Sequence, residues 1–523
     1  MRCQHVTSTA RRPFGHSDAA FCLRAFLSRS SALAMRISLP LLFLLACGTS
    51  PSATSPSMGG PSGDSPSVNT AALDTATLDA WVDRELKGRL PSAVVALVDG
   101  NGLRWHRGVG ARDARGGPPP DQTTVYRIGS ITKVLTGIAL LQLRDEGALT
   151  LDDPVAKWVP ELASRMTAGG ASVTLRHLVT HTSGISDIGL GNWASYWGTR
   201  APSEAEMLRA LDEPLEFAPP GTQSQYSNGG MAVAGLVVSR ASRMTFRDAM
   251  QRRVLTPLGM KSAVWDRDRV PVDRLAIGVG PQQVIDPPHW QLGAFEPAGG
   301  LYASVEDMVG LARLALGSEP DVLRGTSLRE ALTDDPLPGP HGVAWIVVRV
   351  DGERVAAHSG STHDYSATLW VVPDRGIAVI VLAASPLTSL ALIECAATAI
   401  ATSAIRGEAP PTCTTKPIEP GLRAAYDHAL TQVRTILASP DPATIEAAFA
   451  PELLAQVSLD TIVQMSQTVT SNVGRCDSHE ITGPDLDHWV AATLHCEHGT
   501  VEVILHVQEA APHRIDGLRF PEL

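Results

Sequence analysis

Ser130 and Lys133 are the residues of this chain whose types and spacing point most directly to chemistry. Side chains three apart on a helix share a face, so the serine hydroxyl would stand beside the lysine amine. The run that follows, Val134-Leu135-Thr136-Gly137-Ile138-Ala139-Leu140-Leu141, is apolar nearly all round, as in a helix inside a protein. Ser130 is therefore expected in a turn that opens a buried helix, beside first-turn N–H groups that have no carbonyl partner. Nucleophile, base and oxyanion site would then meet in one place. The choice of lysine supports this over a plain surface charge. The chain holds only five lysines, at 87, 133, 157, 261 and 416, against 38 arginines. Arginine cannot give up its proton, whereas burial disfavours the charged form of a lysine.

An acyl-transfer site needs more: a second proton-handling group, an orienting amide and a strand edge that completes the oxyanion hole. Tyr226 and Asn228 stand two apart after Pro219-Pro220-Gly221, just before an apolar helix, so both can point the same way. On their own they read equally well as turn structure. His358-Ser359-Gly360 is expected to end one strand and open the next. Gly360 would let substrate backbone approach closely, and the Ser361 N–H would join that of Ser130 as oxyanion donor. His177 and His181 have no third ligand at zinc spacing, so no metal and no cofactor is expected. His181, in a Thr-Ser-Gly turn, is read as scaffold.

The surrounding elements must bring 130, 226–228 and 358–361 together. A helix is expected over 73–87, then a hairpin of strands 92–99 and 103–110 turning at Gly100-Asn101-Gly102. Residues 135–260 read as all-α, with helix starts at Ser203 and Thr245. Strands return over 343–350, 354–358, 365–372 and 377–383, followed by a helix over 387–404. Early hairpin and late strands would form one antiparallel sheet, flanked by helices, with the α region inserted. Pro410-Pro411 and the proline-rich 417–420 mark a junction. Residues 418–523 then read as a separate α+β domain, with helices over 422–437, 443–450 and 459–468 and strands over 476–481, 489–497, 500–508 and 515–520. Its pattern distantly resembles the cone-shaped nuclear-transport-factor fold, and it carries no chemistry.

Ser-x-x-Lys, Tyr-x-Asn and His-x-Gly in this order resemble the serine β-lactamase and penicillin-binding-protein superfamily, in the branch of class C β-lactamases and related esterases and D-peptidases. The resemblance extends to Leu178-Val179-Thr180-His181-Thr182-Ser183-Gly184, Pro257-Leu258-Gly259-Met260 and Pro297-Ala298-Gly299-Gly300-Leu301, and covers residues 73–405. It implies an α/β sandwich with an all-α lobe and an active site between them. It also implies an acyl-enzyme on Ser130, with Lys133 and Tyr226 moving the proton and Asn228 orienting Lys133 and the substrate. Tyr226 serves as a base only if Lys133, and His358 if charged, hold its phenolate. The chain departs from the family where Lys-Thr-Gly is usual: His358 is mostly uncharged at neutral pH, which favours ester or D-amino-acid amide substrates over β-lactams. His363-Asp364-Tyr365 replaces a small-residue stretch and is expected to narrow the acyl site. Trp193, Tyr196 and Trp197 read either as an aromatic rim or as packing on the helical lobe.

A net charge of −11 and an isoelectric point near 5.8 argue against a nucleic-acid partner. Met35-Arg36 followed by a short apolar run to Ala46 reads as a secretory signal, too short to span a membrane. Leu44-Leu45-Ala46-Cys47 resembles the bacterial lipoprotein signal, with Cys47 lipidated; the alternative is an ordinary signal that happens to contain a cysteine. Residues 1–34 read as an upstream misread of the start, and 48–72, dense in Ser, Pro and Gly, as a tether. The expected location is extracytoplasmic, with the membrane reached by a lipid anchor only. Sequence order suggests Cys395 with Cys413 and Cys476 with Cys496, other pairings remaining open. The expected partner is a small ester, amide or peptidoglycan-like peptide. The alternative is an inert lipoprotein that binds cell-wall peptide or a protein, although no member of the catalytic set is missing.

Overall fold

The computed structural model describes residues 74–519 except 165–166, 169–170, 186–199, 213–218, 281–283, 320, 386–388, 414–417, 419, 455–458, 482–488 and 509–510. The leader, Cys47, the tether and the aromatic residues Trp193, Tyr196 and Trp197 lie outside the described residues.

Asp74 caps helix α1 (Thr75–Glu85) by accepting the Thr77 N–H, and the helix lays Leu78, Trp81 and Val82 on a sheet. Strands β1 (Ser92–Asp99) and β2 (Gly102–Gly110) form the hairpin. A ribbon strand β3 (Val125–Arg127) then leads through a tight turn into helix α2 (Thr132–Asp145), eleven of whose residues are buried. The helical lobe that follows includes α3 (Leu175–Val179) and α4 (Asn228–Ser242). Thr245 and Ser203 accept from the N–H groups three residues on, at the two helix starts expected from sequence. Strand β4 (Tyr302–Ser304) pairs with β3, and α5 (Val305–Ala315) is opened by a reciprocal Ser304–Asp307 cap. Strands β5 (Ile346–Val350), β6 (Glu353–Ser361), β7 (Ser366–Val372) and β8 (Ile377–Ala383) complete the main sheet, and α6 (Leu390–Arg406) covers it.

The six strands lie in the order β2-β1-β8-β7-β6-β5, all antiparallel. Alternation explains the layering. In β1, Val94, Ala96 and Val98 join the core shared with the helical lobe, while Ala93, Val95 and Leu97 join a second core under α1 and α6. The sheet is thus sandwiched, as its fully buried central strands β7 and β8 require.

Three local expectations are corrected. Strand β6 does not break at His358: it runs unbroken through Gly360 to Ser361, paired with β7 as His358 with Leu369 and Gly360 with Ala367. The glycine there serves close approach rather than strand ending. The region 135–260 is not wholly helical, since Thr167–Ala168 pairs with Ala171–Ser172. The strand expected from 343 begins only at Ile346, because Ala344 takes a left-handed φ of 60°.

Beyond the junction, α7 (Pro420–Ala438), α8 (Pro442–Ala448) and α9 (Leu459–Val473) pack with a second sheet of β9 (Cys476–Ile481), β10 (Trp489–Cys496), β11 (Gly499–Val507) and β12 (Ile515–Arg519) in sequence order. These elements have their own core, around Tyr426, Leu430, Phe449, Leu494 and Val503. Cys395 is bonded to Cys413 and Cys476 to Cys496, the latter directly across β9 and β10. Among the described residues no helix is long and apolar enough to cross a membrane.

Candidate active site

The turn Gly129–Ile131 delivers Ser130. Gly129 has a positive φ of 49°, and a side chain there would place its first carbon 2.7 Å from the Ser361 nitrogen. The Thr132 hydroxyl ties the turn by donating to Gly129 O at 2.7 Å, and Ile128 N–H donates to Leu301 O at 3.0 Å. The hydroxyl of Ser130 is thereby held at the entrance of α2, 2.9 Å from Lys133 Nζ.

Lys133 is fully buried. Its amine also meets Asn228 Oδ1 at 2.7 Å and the backbone oxygen of Ala298 at 2.6 Å, and lies 4.7 Å from the centre of the Tyr226 ring. The amide oxygen and the carbonyl can only accept, so they fix two amine hydrogens. Of these three partners only the serine hydroxyl has a proton to give. An unprotonated amine in this setting turns its lone pair to Ser130 Oγ, the arrangement a general base needs.

Asn228 and Tyr226 come from the start of α4. Ser227 caps that helix, accepting the Gly230 N–H at 2.8 Å, which leaves its neighbours on either side facing the site. The Tyr226 ring packs 4.5 Å from that of His181 and 6.4 Å from that of His358.

His358 is buried, and its Nδ1–H donates to Ser359 O at 2.7 Å. Burial, with the nearby Lys133 adding to it, pushes its pKa down to about 3. The imidazole is therefore neutral near pH 7 and brings no charge to a Tyr226 phenolate. Gly360 makes room for the chain's own backbone where close approach of substrate backbone was expected: a side-chain carbon there would fall 2.0 Å from Ile128 O and 2.6 Å from Ser130 N. The strand thus abuts the nucleophile turn, and the N–H groups of Ser130 and Ser361 lie on the two sides of one contact.

The trio expected to narrow the acyl site makes its contacts to Ala276, His289 and Trp290. Tyr365 donates its hydroxyl to Ala276 O at 2.7 Å, and His363 stacks on Trp290 at 5.1 Å. Asp364 meets His289 Nδ1 at 3.1 Å and the Thr362 hydroxyl at 2.8 Å. Burial opposes its charge, yet these hydrogen bonds and nearby positive groups hold its carboxyl below the usual range.

Two participants were not foreseen. The Ala298 carbonyl lies in a segment noted only as framework, and a backbone atom leaves no mark of its own in sequence. His341, whose Nε2 meets Ser224 Oγ at 3.0 Å, packs edge-on against His181 at 5.2 Å. Among the described residues no cluster of three or more His, Cys, Asp or Glu has metal-holding geometry.

Residues 78–394 match the model of the Beta-lactamase family. The chain belongs to the Beta-lactamase family. It is 32% identical to esterase EstB of Burkholderia gladioli over 304 residues, covering 50% of this chain and 76% of the esterase. It is 26% identical to protein flp of Staphylococcus aureus (strain MW2) over 306 residues, 57% of this chain and 60% of that protein; the chain thus spans about three fifths of that relative. Two solved structures share the fold. The octameric penicillin-binding protein homologue from Pyrococcus abyssi superposes with a TM-score of 0.57 at 20% identity, covering 81% of this chain and 88% of that one. A D-stereospecific amidohydrolase from Streptomyces sp. superposes with a TM-score of 0.51 at 24% identity, covering 60% and 95%. The antiparallel sheet with flanking helices is the beta-lactamase-type architecture expected from the motifs.

Proposed function

We propose that this beta-lactamase-family member is an exported acyl hydrolase that forms an acyl-enzyme on Ser130 from a small ester or D-amino-acid amide. The observation that carries the reading is the Lys133 amine, 2.9 Å from Ser130 Oγ and held from two other sides by Asn228 and Ala298. Ser130 Oγ attacks the substrate carbonyl carbon and its proton passes to the amine. The oxyanion that forms is met by the N–H groups of Ser130 and Ser361. Collapse breaks the bond to the alcohol or amine, which leaves with a proton returned by Lys133 and Tyr226. Water then attacks the acyl carbon and releases the acid, restoring Ser130.

The neutral His358 favours substrates with no carboxylate to be gripped at the acyl end, and the identity to an esterase points the same way. A lipidated Cys47 would keep the enzyme at the outer side of a bacterial membrane. The test is a panel of p-nitrophenyl esters, D-alanyl p-nitroanilide and nitrocefin, each with wild type and Ser130→Ala. Short esters should turn over fastest, with nitrocefin slowest, and Ser130→Ala should lose at least about 1000-fold. Equal rates for wild type and Ser130→Ala would refute the reading.

A further inference from the structure

His181 occupies a place that its residue type does not explain by packing alone. Its backbone sits at φ 57°, where a side chain is disfavoured and glycine or asparagine is the easy choice. The residue is nevertheless a histidine with 2% exposure. Its contacts converge on one short segment. Its carbonyl accepts the Gln225 N–H at 2.7 Å, its Nδ1 accepts the Ser227 N–H at 3.1 Å, and its ring lies 4.5 Å from that of Tyr226 between the two. The next residue continues the grip, since Thr182 O accepts the Gly221 N–H at 2.8 Å. The turn after α3 therefore holds the segment 225–227 by backbone and by ring face together.

We propose that His181 is a positioning residue: its imidazole fixes Tyr226 beside the Lys133 amine, holding the Ser227 N–H on one side and the Tyr226 ring on its face. The geometry needs Nδ1 as an acceptor. A proton there would face the Ser227 N–H with a second donor and push the segment away. The surroundings keep that proton off. Burial above all, then His341, Lys133 and His358, hold the His181 pKa well below its ordinary value. An asparagine at 181 would suit the backbone but would give Tyr226 no ring to pack on, which accounts for a histidine in a left-handed position.

This inference rests on the proposed acyl-enzyme mechanism, and Ser130→Ala separates the two: activity surviving in Ser130→Ala sinks the mechanism, whatever position 181 does. The experiment is a double-mutant cycle of His181→Gly and Tyr226→Phe, read with a p-nitrophenyl ester, whose leaving group needs little protonation and keeps the Tyr226→Phe rate measurable. His181→Gly relieves the backbone and removes acceptor and ring together. It should lower kcat roughly 10- to 100-fold, with KM within about 3-fold and an undiminished thermal midpoint. His181→Asn, which restores an acceptor at a tolerated φ, should recover part of the loss. In the Tyr226→Phe background the further loss from His181→Gly should shrink to less than about 3-fold. An unchanged kcat in His181→Gly, or the same fold-loss with and without the Tyr226 hydroxyl, would overturn the proposal. If the glycine variant does not fold, the cycle run with His181→Asn decides by the same comparison.

Discussion

Around the Lys133 amine, three oxygen atoms at 2.6, 2.7 and 2.9 Å set where its hydrogens go. That makes Asn228 an electrostatic choice as much as a geometric one. Asn228→Asp keeps the shape but puts a carboxylate beside the amine, favouring ammonium over free amine. The kcat of this variant near pH 7 should fall about 100-fold or more, and its pH–rate profile should move to higher pH. A steady-state profile from pH 6 to 10 checks this, and a profile superposable on wild type would count against the amine as base. At this scale the sequence was most informative where side chains carry the chemistry. The clustering of Ser130, Asn228 and Tyr226 around Lys133 was legible because Ser130 and Lys133 share a helix start and the ordered motifs tied Tyr226 and Asn228 to them. Ala298 could not, because its contribution is a carbonyl oxygen that any residue would supply. The charge state of His358 was legible only by its ordinary value, since burial is a property of the fold.

The elements that matter are the Ser130 turn and strand β6, which meet backbone to backbone. Gly360→Ala would place a methyl carbon 2.0 Å from Ile128 O and 2.6 Å from Ser130 N, both backbone atoms with little freedom to yield. The turn must move, so both stability and chemistry should suffer: about 1–3 kcal/mol lost in urea unfolding, and acylation by an activated ester reduced at least about 100-fold. Wild-type acylation kinetics in Gly360→Ala would show that the strand does not set the nucleophile. This contact also explains the misplaced strand ending. A glycine beside a histidine and a serine reads as punctuation, whereas here it and Gly129 opposite are the side-chain-free positions that let two backbones touch. The ribbon of β3 and β4 was missed for a different reason. Three-residue strands paired as Val125 with Ser304 have no periodicity to detect and a partner far away in sequence.

Across the whole molecule, burial of histidines links the site to acid stability. His341 is held down to about 4 and His358 to about 3, each by burial first, and His181 is lowered in the same sense. Because the folded values lie below the unfolded one near 6.5, stability is full above that pH. It falls as pH drops below it, since the unfolded chain takes up protons that the folded one refuses. Each such histidine costs about 1.4 kcal/mol per pH unit in that window, down to its folded value. Urea unfolding from pH 7.5 to 5 should show this loss, and His341→Gln should flatten the slope by about one proton. Parallel curves for the two proteins would contradict it. The sandwich and the separate C-terminal sheet were legible at this scale because strands with two buried faces, amphipathic helices and a proline-rich junction all leave patterns in sequence. Which histidines come together in the interior, from positions 181, 341 and 358, leaves none.

The claim beneath all of this is that Ser130 is the nucleophile and the Lys133 amine its base. The most direct measurement is peptide mapping by mass spectrometry after reaction with an activated phosphonate, for wild type, Ser130→Ala and Lys133→Met. The adduct is expected on the peptide bearing Ser130 in wild type, absent in Ser130→Ala, and formed at least about 1000-fold more slowly in Lys133→Met at neutral pH. An adduct on another residue, or equal labelling rates in wild type and Lys133→Met, would contradict it.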